Sequence, residues 1–168
     1  AVIHKEFHLC SGDPALIGVK KVKPVCNTNS DVADQLADVD MEAIHPKASK
    51  ALENAGISIR VKNAFEPDHE GTLISKDYIC PHSRIEVITG SDKVTTLMIH
   101  DPRMVGEVGF DRKIMYTLEQ HGVSFICKMT NANTIEIVVK DKDYTGALLK
   151  DLRSKFEKVT KCEVAIVC

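Results

Sequence analysis

Apolar and polar positions change rhythm along the chain, and the change predicts two parts. "AVIHKEFHL" alternates as a strand, and "GDPALIG" is a turn-rich loop. In "DVADQLADV", Val32, Leu36 and Val39 share one helical face, which predicts a short helix capped by Asp31. His45-Pro46 starts a second helix, since proline fits the first helical turn. Ala48, Ala51, Leu52 and Ala55 give that helix its apolar face, and Gly56 stops it. "ISIRVKN" sets Ile57, Ile59 and Val61 against Ser58, Arg60 and Lys62, the pattern of a half-buried strand. "AFEPDHEG" is a loop punctuated by proline and glycine.

Beyond "SKDYICPHSR" the pattern is more regular. "KVTTLMIH" predicts a strand, and "GEVGFDRKIMYTLEQHG" a helix with Phe110, Ile114 and Leu118 on one stripe, stopped by Gly122. "VSFICKM" places Val123, Phe125, Cys127 and Met129 on one strand face. The turn "TNAN" leads back into "TIEIVVK", with Ile135, Ile137 and Val139 inward, so the two strands predict a hairpin. "DYTGALLKDLRSKFE" is a helix carrying Tyr144, Leu148, Leu152 and Phe156, and "KCEVAIVC" closes as a strand. The order β-α-β-β-α-β is the ferredoxin-like split arrangement, an antiparallel sheet covered on one face by two helices. The fold class expected is therefore α/β (α+β).

Composition narrows the function classes. The chain has 168 residues, 22 basic and 24 acidic, for a formal net charge of -2. That balance argues against nucleic acid as a partner, since phosphate binding needs a concentrated positive field. No apolar run is long enough to span a membrane, and no basic-then-apolar leader is visible, so a cytoplasmic protein is expected. The chain opens on Ala1 and ends within the strand-like "CEVAIVC", and so reads as a piece of a longer polypeptide.

Candidate chemistry is sparse. None of the six cysteines forms a C-x-x-C pair, and free reduced thiols are expected. His4 and His8 stand four apart, but on a strand they are distant, and no metal site is expected. His45 reads as a helix-start residue, "KDKD" as a solvated turn, and Met98, Met104, Met115 and Met129 as core and pocket filler. Phe110 and Phe125 read as core. "GEVGF" follows a strand and opens a helix, a geometry suited to an anion, but it lacks the third glycine of a dinucleotide fingerprint.

The stretch "MEAIHPKASKALENAGISIRVKNAFEPDHEGTLIS" is similar to the end of the catalytic domain of aspartokinases. A helix enters a His-Pro turn, a second helix ends at Ala-Gly-Ile, and a strand ends in Lys-Asn-Ala-Phe before Pro and Gly-Thr. "SGDPALIG" resembles that family's Asp-Pro loop, and the later β-α-β-β-α-β unit resembles its first ACT domain. "NTNSDVADQLADVDMEAIHP" resembles the subgroup associated with ectoine synthesis.

The resemblance implies residues 1–76 as the C-terminal part of an amino-acid-kinase domain and 84–168 as an ACT regulatory domain. It implies a parent enzyme converting ATP and L-aspartate to 4-phospho-L-aspartate and ADP, with ATP and Mg as that enzyme's cofactors and none in this chain. It implies lysine or threonine biosynthesis as the setting and three partners: a second copy, the rest of the kinase domain and a small amino-acid effector. The nucleotide-side residues carried over are Lys5 and Asp13. The effector residues are Met104, Gly106, Glu107, Gly109, Phe110 and Asp111 on the loop and helix start, with Ser124, Phe125, Ile126, Asn131, Ala132 and Asn133 on the strand and turn.

Departures from the family pattern weaken the nucleotide side. His4-Lys5 replaces a Thr-Asp pair, Ala15 an arginine and Glu42 a phosphate-facing lysine. The family's phosphate-cradling Lys-Phe-Gly-Gly segment does not occur in these residues, and no catalytic residue is assigned. Acidic residues of lysine-sensitive relatives are replaced by Ile126 and Ala132, which points to a smaller polar effector such as threonine. The alternative is a stand-alone ACT-type module for amino-acid binding and assembly without kinase activity.

Overall fold

The computed structural model describes residues 1–39 and 44–168. The expectation attached to Glu42 falls outside them, as does the one attached to the Ala15 side chain. The chain divides into two compact units, Ala1–Gly90 with Val167–Cys168, and Ser91–Ile166. Residues 84–90, assigned by sequence to the second domain, thus pack with the first unit.

In the first unit, strands β1 (Val2–Lys5), β2 (Asn27–Thr28), β3 (Ile59–Asn63) and β4 (Thr72–Ile74) form a sheet ordered β1-β3-β4-β2. β1 runs parallel to β3, with Lys5 opposite Asn63. Helices α1 (Pro14–Ile17), α2 (Ser30–Asp38) and α3 (Pro46–Asn54) complete it. Leu9, Val25, Leu36, Ile59, Val61 and Ile74 form its core. α2 is capped by Asn29, not Asp31. The Asn29 Oδ1 accepts the Val32 N–H at 2.9 Å, and Asp31 lies in the first turn, where its charge suits the helix dipole. His45 caps α3, its Nδ1 accepting the Lys47 N–H at 3.3 Å.

The apolar face expected of α3 is buried only in part. Leu52 packs against the core, but Ala48, Ala51 and Ala55 are exposed, whereas Ser49 is buried and donates its hydroxyl to Asp34 on α2. A polar contact between the helices sets the rotation that small alanines do not. Ile57 is also exposed, because the strand begins two residues later, at Ile59.

In the second unit, β5 (Gly90–His100), β6 (Cys127–Thr130), β7 (Thr134–Lys140) and β8 (Lys158–Val167) form a sheet ordered β6-β7-β5-β8. With α4 (Phe110–Gln120) and α5 (Gly146–Lys155), this is the expected ferredoxin-like topology. Leu97, Ile99, Ile135, Ile137 and Val139 meet Ile114, Leu118, Leu148 and Leu152 in one core. Thr145 caps α5 by accepting the Leu148 N–H.

Strand β6 departs from the expectation. It begins only at Cys127, and its register sets Lys128 opposite Ile137 and Met129 opposite Glu136. Directly paired residues share a face, so Lys128, not Met129, lies on the core side. Phe125, expected in the core, and Met129, expected as core or pocket filler, are 43% and 51% exposed. At this sheet edge a lysine satisfied by a partner replaces the apolar row that alternation suggested.

Candidate functional site

One end of the second sheet gathers most of the residues expected to meet an effector. Asp101 follows β5, and its N–H donates to the Asn133 carbonyl at 2.9 Å, which ties the loop before α4 to the β6–β7 turn. Asp101 is fully buried, and its carboxylate accepts four hydrogen bonds. The Arg103 N–H and Nε–H donate to one oxygen at 3.0 and 2.8 Å, and the Glu157 N–H, at 3.2 Å, and Arg103 Nη2 donate to the other. The Arg103 guanidinium, with those two backbone donors, holds the Asp101 carboxyl far below the usual carboxylate range.

The loop between is built from left-handed glycines. Gly106 and Gly109 have φ of 79° and 81°, and Gly109 caps α4 without a side chain. Met104 packs against the core edge, and Phe110 is buried against Phe156 with centroids 5.4 Å apart. Glu107 pairs with Lys113, and Asp111 Oδ2 with Lys128 at 2.6 Å. The other Asp111 oxygen is enclosed and has no hydrogen-bond partner.

The turn is closed by its own side chain. Asn131 Oδ1 accepts the N–H groups of Asn133 and Thr134, and Asn133 Oδ1 accepts the Thr134 hydroxyl. Ala132 is exposed beside them. Ser124, Phe125 and Ile126 stand at the other end of β6, where the Ile126 N–H donates to Val138. Within one chain, therefore, Asp101 ties the end of β5 to the turn and Asp111 ties the start of α4 to β6, and the Ser124–Ile126 group lies apart from the turn.

In the first unit, Lys5 is exposed at the end of β1, and Asp13 opens α1, its carbonyl accepting the N–H groups of Leu16 and Ile17. Cavities open among the described residues of this unit. One of about 290 Å³ is lined by Ser11, Lys23, Cys26, Tyr78, Arg84 and Glu86, among others. Another, about 360 Å³, includes Ser30, Glu53, Lys76 and Asp77. Neither includes Lys5 or Asp13.

A cluster that strand alternation did not reveal surrounds His8. The ring is buried, its Nδ1 accepts the Asn63 N–H at 3.2 Å, and its Nε2 meets Glu66 at 3.2 Å. Because Nδ1 accepts, the proton of the neutral ring sits on Nε2 and is donated to Glu66. His69 stacks on His8 with centroids 4.0 Å apart. Asn63 donates its amide to Glu66, and Arg60 and Lys62 donate to the carbonyls of Glu70 and Pro67. Burial, then the Glu66 charge, raises the Cys10 thiol pKa. The local signal was present in "KNAFEPDHEG", but its partner lies 55 residues away in sequence. Among the described residues, no three His, Cys, Asp or Glu side chains are grouped to hold a metal ion. Nor is any helix among them long and apolar enough to cross a membrane.

The second unit is thus an ACT-type ferredoxin-like domain, preceded by the C-terminal part of an amino-acid-kinase fold. The chain is homologous to a segment of aspartate kinases. It is 48% identical over 135 residues to aspartate kinase Ask_Ect of Stutzerimonas stutzeri, a match covering 80% of this chain and 28% of that protein. That match agrees with the ectoine-associated subgroup read from the sequence. Among solved structures, it superimposes on aspartate kinase of Clostridium acetobutylicum with a TM-score of 0.83 at 24% identity, covering 99% of this chain and 39% of that one. It also matches E. coli aspartokinase III in complex with lysine and aspartate, with a TM-score of 0.76 at 20% identity over 95% of this chain and 36% of that one. No protein-family model matches the chain. The chain spans little more than a quarter of the curated relative's length.

Proposed function

We propose that the chain is the end of the catalytic domain and the first ACT regulatory domain of an aspartokinase, with the ACT unit sensing a small amino acid and pairing with a second copy. The observation that carries the reading is the 48% identity to Ask_Ect across 80% of the chain. The whole enzyme would convert ATP and L-aspartate to 4-phospho-L-aspartate and ADP in the cytoplasm, with Mg and ATP bound largely by residues outside these 168. The effector would lie against the 104–111 loop and the 131–133 turn. Backbone N–H groups at the start of α4 suit its α-carboxylate, and polar groups at the turn suit a short polar side chain.

Glu107 and Asp111 already have lysine partners, so neither is left to receive a side-chain ammonium. The effector expected is therefore threonine rather than lysine. Calorimetry of the 168-residue chain with threonine, lysine and aspartate tests this. Threonine is expected to bind best, and absence of binding by all three would remove the effector site.

The isolated chain is expected to show no ATP-dependent phosphorylation of aspartate. It holds no Lys-Phe-Gly-Gly phosphate cradle, and phosphoryl transfer depends on positioning and neutralising the phosphates. Coupled ADP-release measurement on the purified chain checks this, and measurable turnover with aspartate would refute it.

Self-association is expected through the second unit. β8 is an edge strand whose Cys162–Ala165 run is exposed, and such an edge offers unpaired N–H and C=O groups to another strand. Sedimentation velocity is expected to show a dimer at micromolar concentration. A strict monomer across the concentration range would count against it.

A further inference from the structure

We infer that Lys128 sets the charge specificity of the proposed effector cleft, closing it to amino acids with basic side chains. This rests on the effector reading above and adds to it the residue that enforces the choice. Lys128 stands on β6 opposite Ile137, a residue with no exposure, in the row that otherwise carries apolar side chains into the core. Its stem runs along the edge of that core, and its ammonium reaches Asp111 Oδ2 at 2.6 Å, leaving the side chain 25% exposed.

Lysine on a core-facing row is retained at a cost in desolvation, which the Asp111 carboxylate offsets. The second Asp111 oxygen, enclosed and without a partner, leaves Lys128 as the group that compensates this carboxylate. The neighbouring charges are committed as well: Glu107 to Lys113, Asp101 to Arg103. His100, at the end of β5, is bonded to the Thr134 hydroxyl.

A basic effector side chain entering here meets a half-buried ammonium, and Asp111, Glu107 and Asp101 already each hold a cation. Like charges in a partly desolvated cleft repel, and an ammonium buried without a partner is costly. A neutral side chain meets neither penalty. Removing the Lys128 charge reverses the situation, because Asp111 is then a half-exposed carboxylate without its lysine, at the helix start where the effector is proposed to lie.

The test is calorimetry of the full 168-residue chain and two variants with L-lysine and L-threonine. In Lys128→Met, a near-isosteric change that keeps the apolar stem, lysine affinity is expected to rise by roughly tenfold or more, with threonine affinity changing much less. In Lys128→Arg, which keeps the charge, lysine is expected to remain excluded. Lysine binding the native chain as well as threonine does would overturn the inference. So would threonine binding with no gain for lysine in Lys128→Met, loss of both ligands in that variant while its circular dichroism stays native, or lysine binding by Lys128→Arg. Threonine failing to bind the native chain would instead sink the effector reading itself. The two failures are therefore distinguishable.

Discussion

Gly71→Ala is expected to unfold or severely destabilise the first unit, at a cost of about 3 kcal/mol or more. Two independent effects add. Gly71 has φ of 77°, in the left-handed region, where a residue with a Cβ is strained by about 1 kcal/mol or more. A Cβ built there would also lie 2.2 Å from the Val61 carbonyl oxygen, far inside contact distance. The clash is with backbone of β3, so no side-chain rotation relieves it.

The surroundings leave little slack. The Gly71 N–H donates to His69 Nδ1 at 2.9 Å, and Arg60 and Lys62 hold the carbonyls of Glu70 and Pro67. Thr72 then enters β4 opposite Val61 and donates its hydroxyl to the Val25 carbonyl. Shifting Gly71 outward therefore disturbs the sheet and the His8–Glu66–His69 cluster together. Urea unfolding followed by far-UV circular dichroism is the measurement. An alanine variant within 1 kcal/mol of the native chain, on the scale of an ordinary exposed glycine replacement, would show that the loop yields freely.

Much of this architecture was legible in the residue pattern, for identifiable reasons. The stripes Phe110–Ile114–Leu118 and Tyr144–Leu148–Leu152–Phe156 have one apolar face each, and both helices bury it. Ile135, Ile137 and Val139 alternate on a strand with neighbours on both sides, where burial enforces the period. The pattern failed where a partner distant in sequence decides. Lys128 faces the core side because Asp111, 17 residues earlier, neutralises it. Ser49 turns inward because Asp34 receives its hydroxyl. His8 looked like one of two histidines on a strand, and its role depends on Asn63 and Glu66. The proposed effector loop was legible from its glycines and its place between strand and helix. That its carboxylates are already paired was not, since both pairings depend on lysines carried by other turns of the chain.

Asp101→Ala is expected to destabilise the second unit by about 2–3 kcal/mol, the cost of leaving buried donors without their charged acceptor. The Asp101 side chain has no exposure, whereas its partner Arg103 is 63% exposed. Arg103 can return to water once released. The N–H groups of Arg103 and Glu157, which bond the carboxylate within the fold, lose their acceptor. Those two donors lie more than fifty residues apart, so the carboxylate fastens the start of β8 to the turn that leads into the 104–111 loop. Loosening that turn also frees the Asp101 backbone bond to Asn133, which links loop to hairpin. Effector binding is therefore expected to weaken along with stability.

The pH dependence has a definite sign. Native Asp101 is held deprotonated well below the usual carboxylate range, chiefly by Arg103, while in the unfolded chain it titrates near ~3.9. Its stabilisation is thus fully present above about pH 4 to 5 and is lost as the pH falls toward its depressed native value. Native chain and Asp101→Asn should accordingly differ most at neutral pH and draw together in acid, because the unfolded chain takes up a proton at this carboxylate while the folded chain still holds it charged. Urea midpoints measured between neutral pH and about pH 2.5 follow this difference across the acid limb. A gap between the two proteins that stayed constant over that range would show that packing at this position, rather than the Asp101 charge, holds the turn.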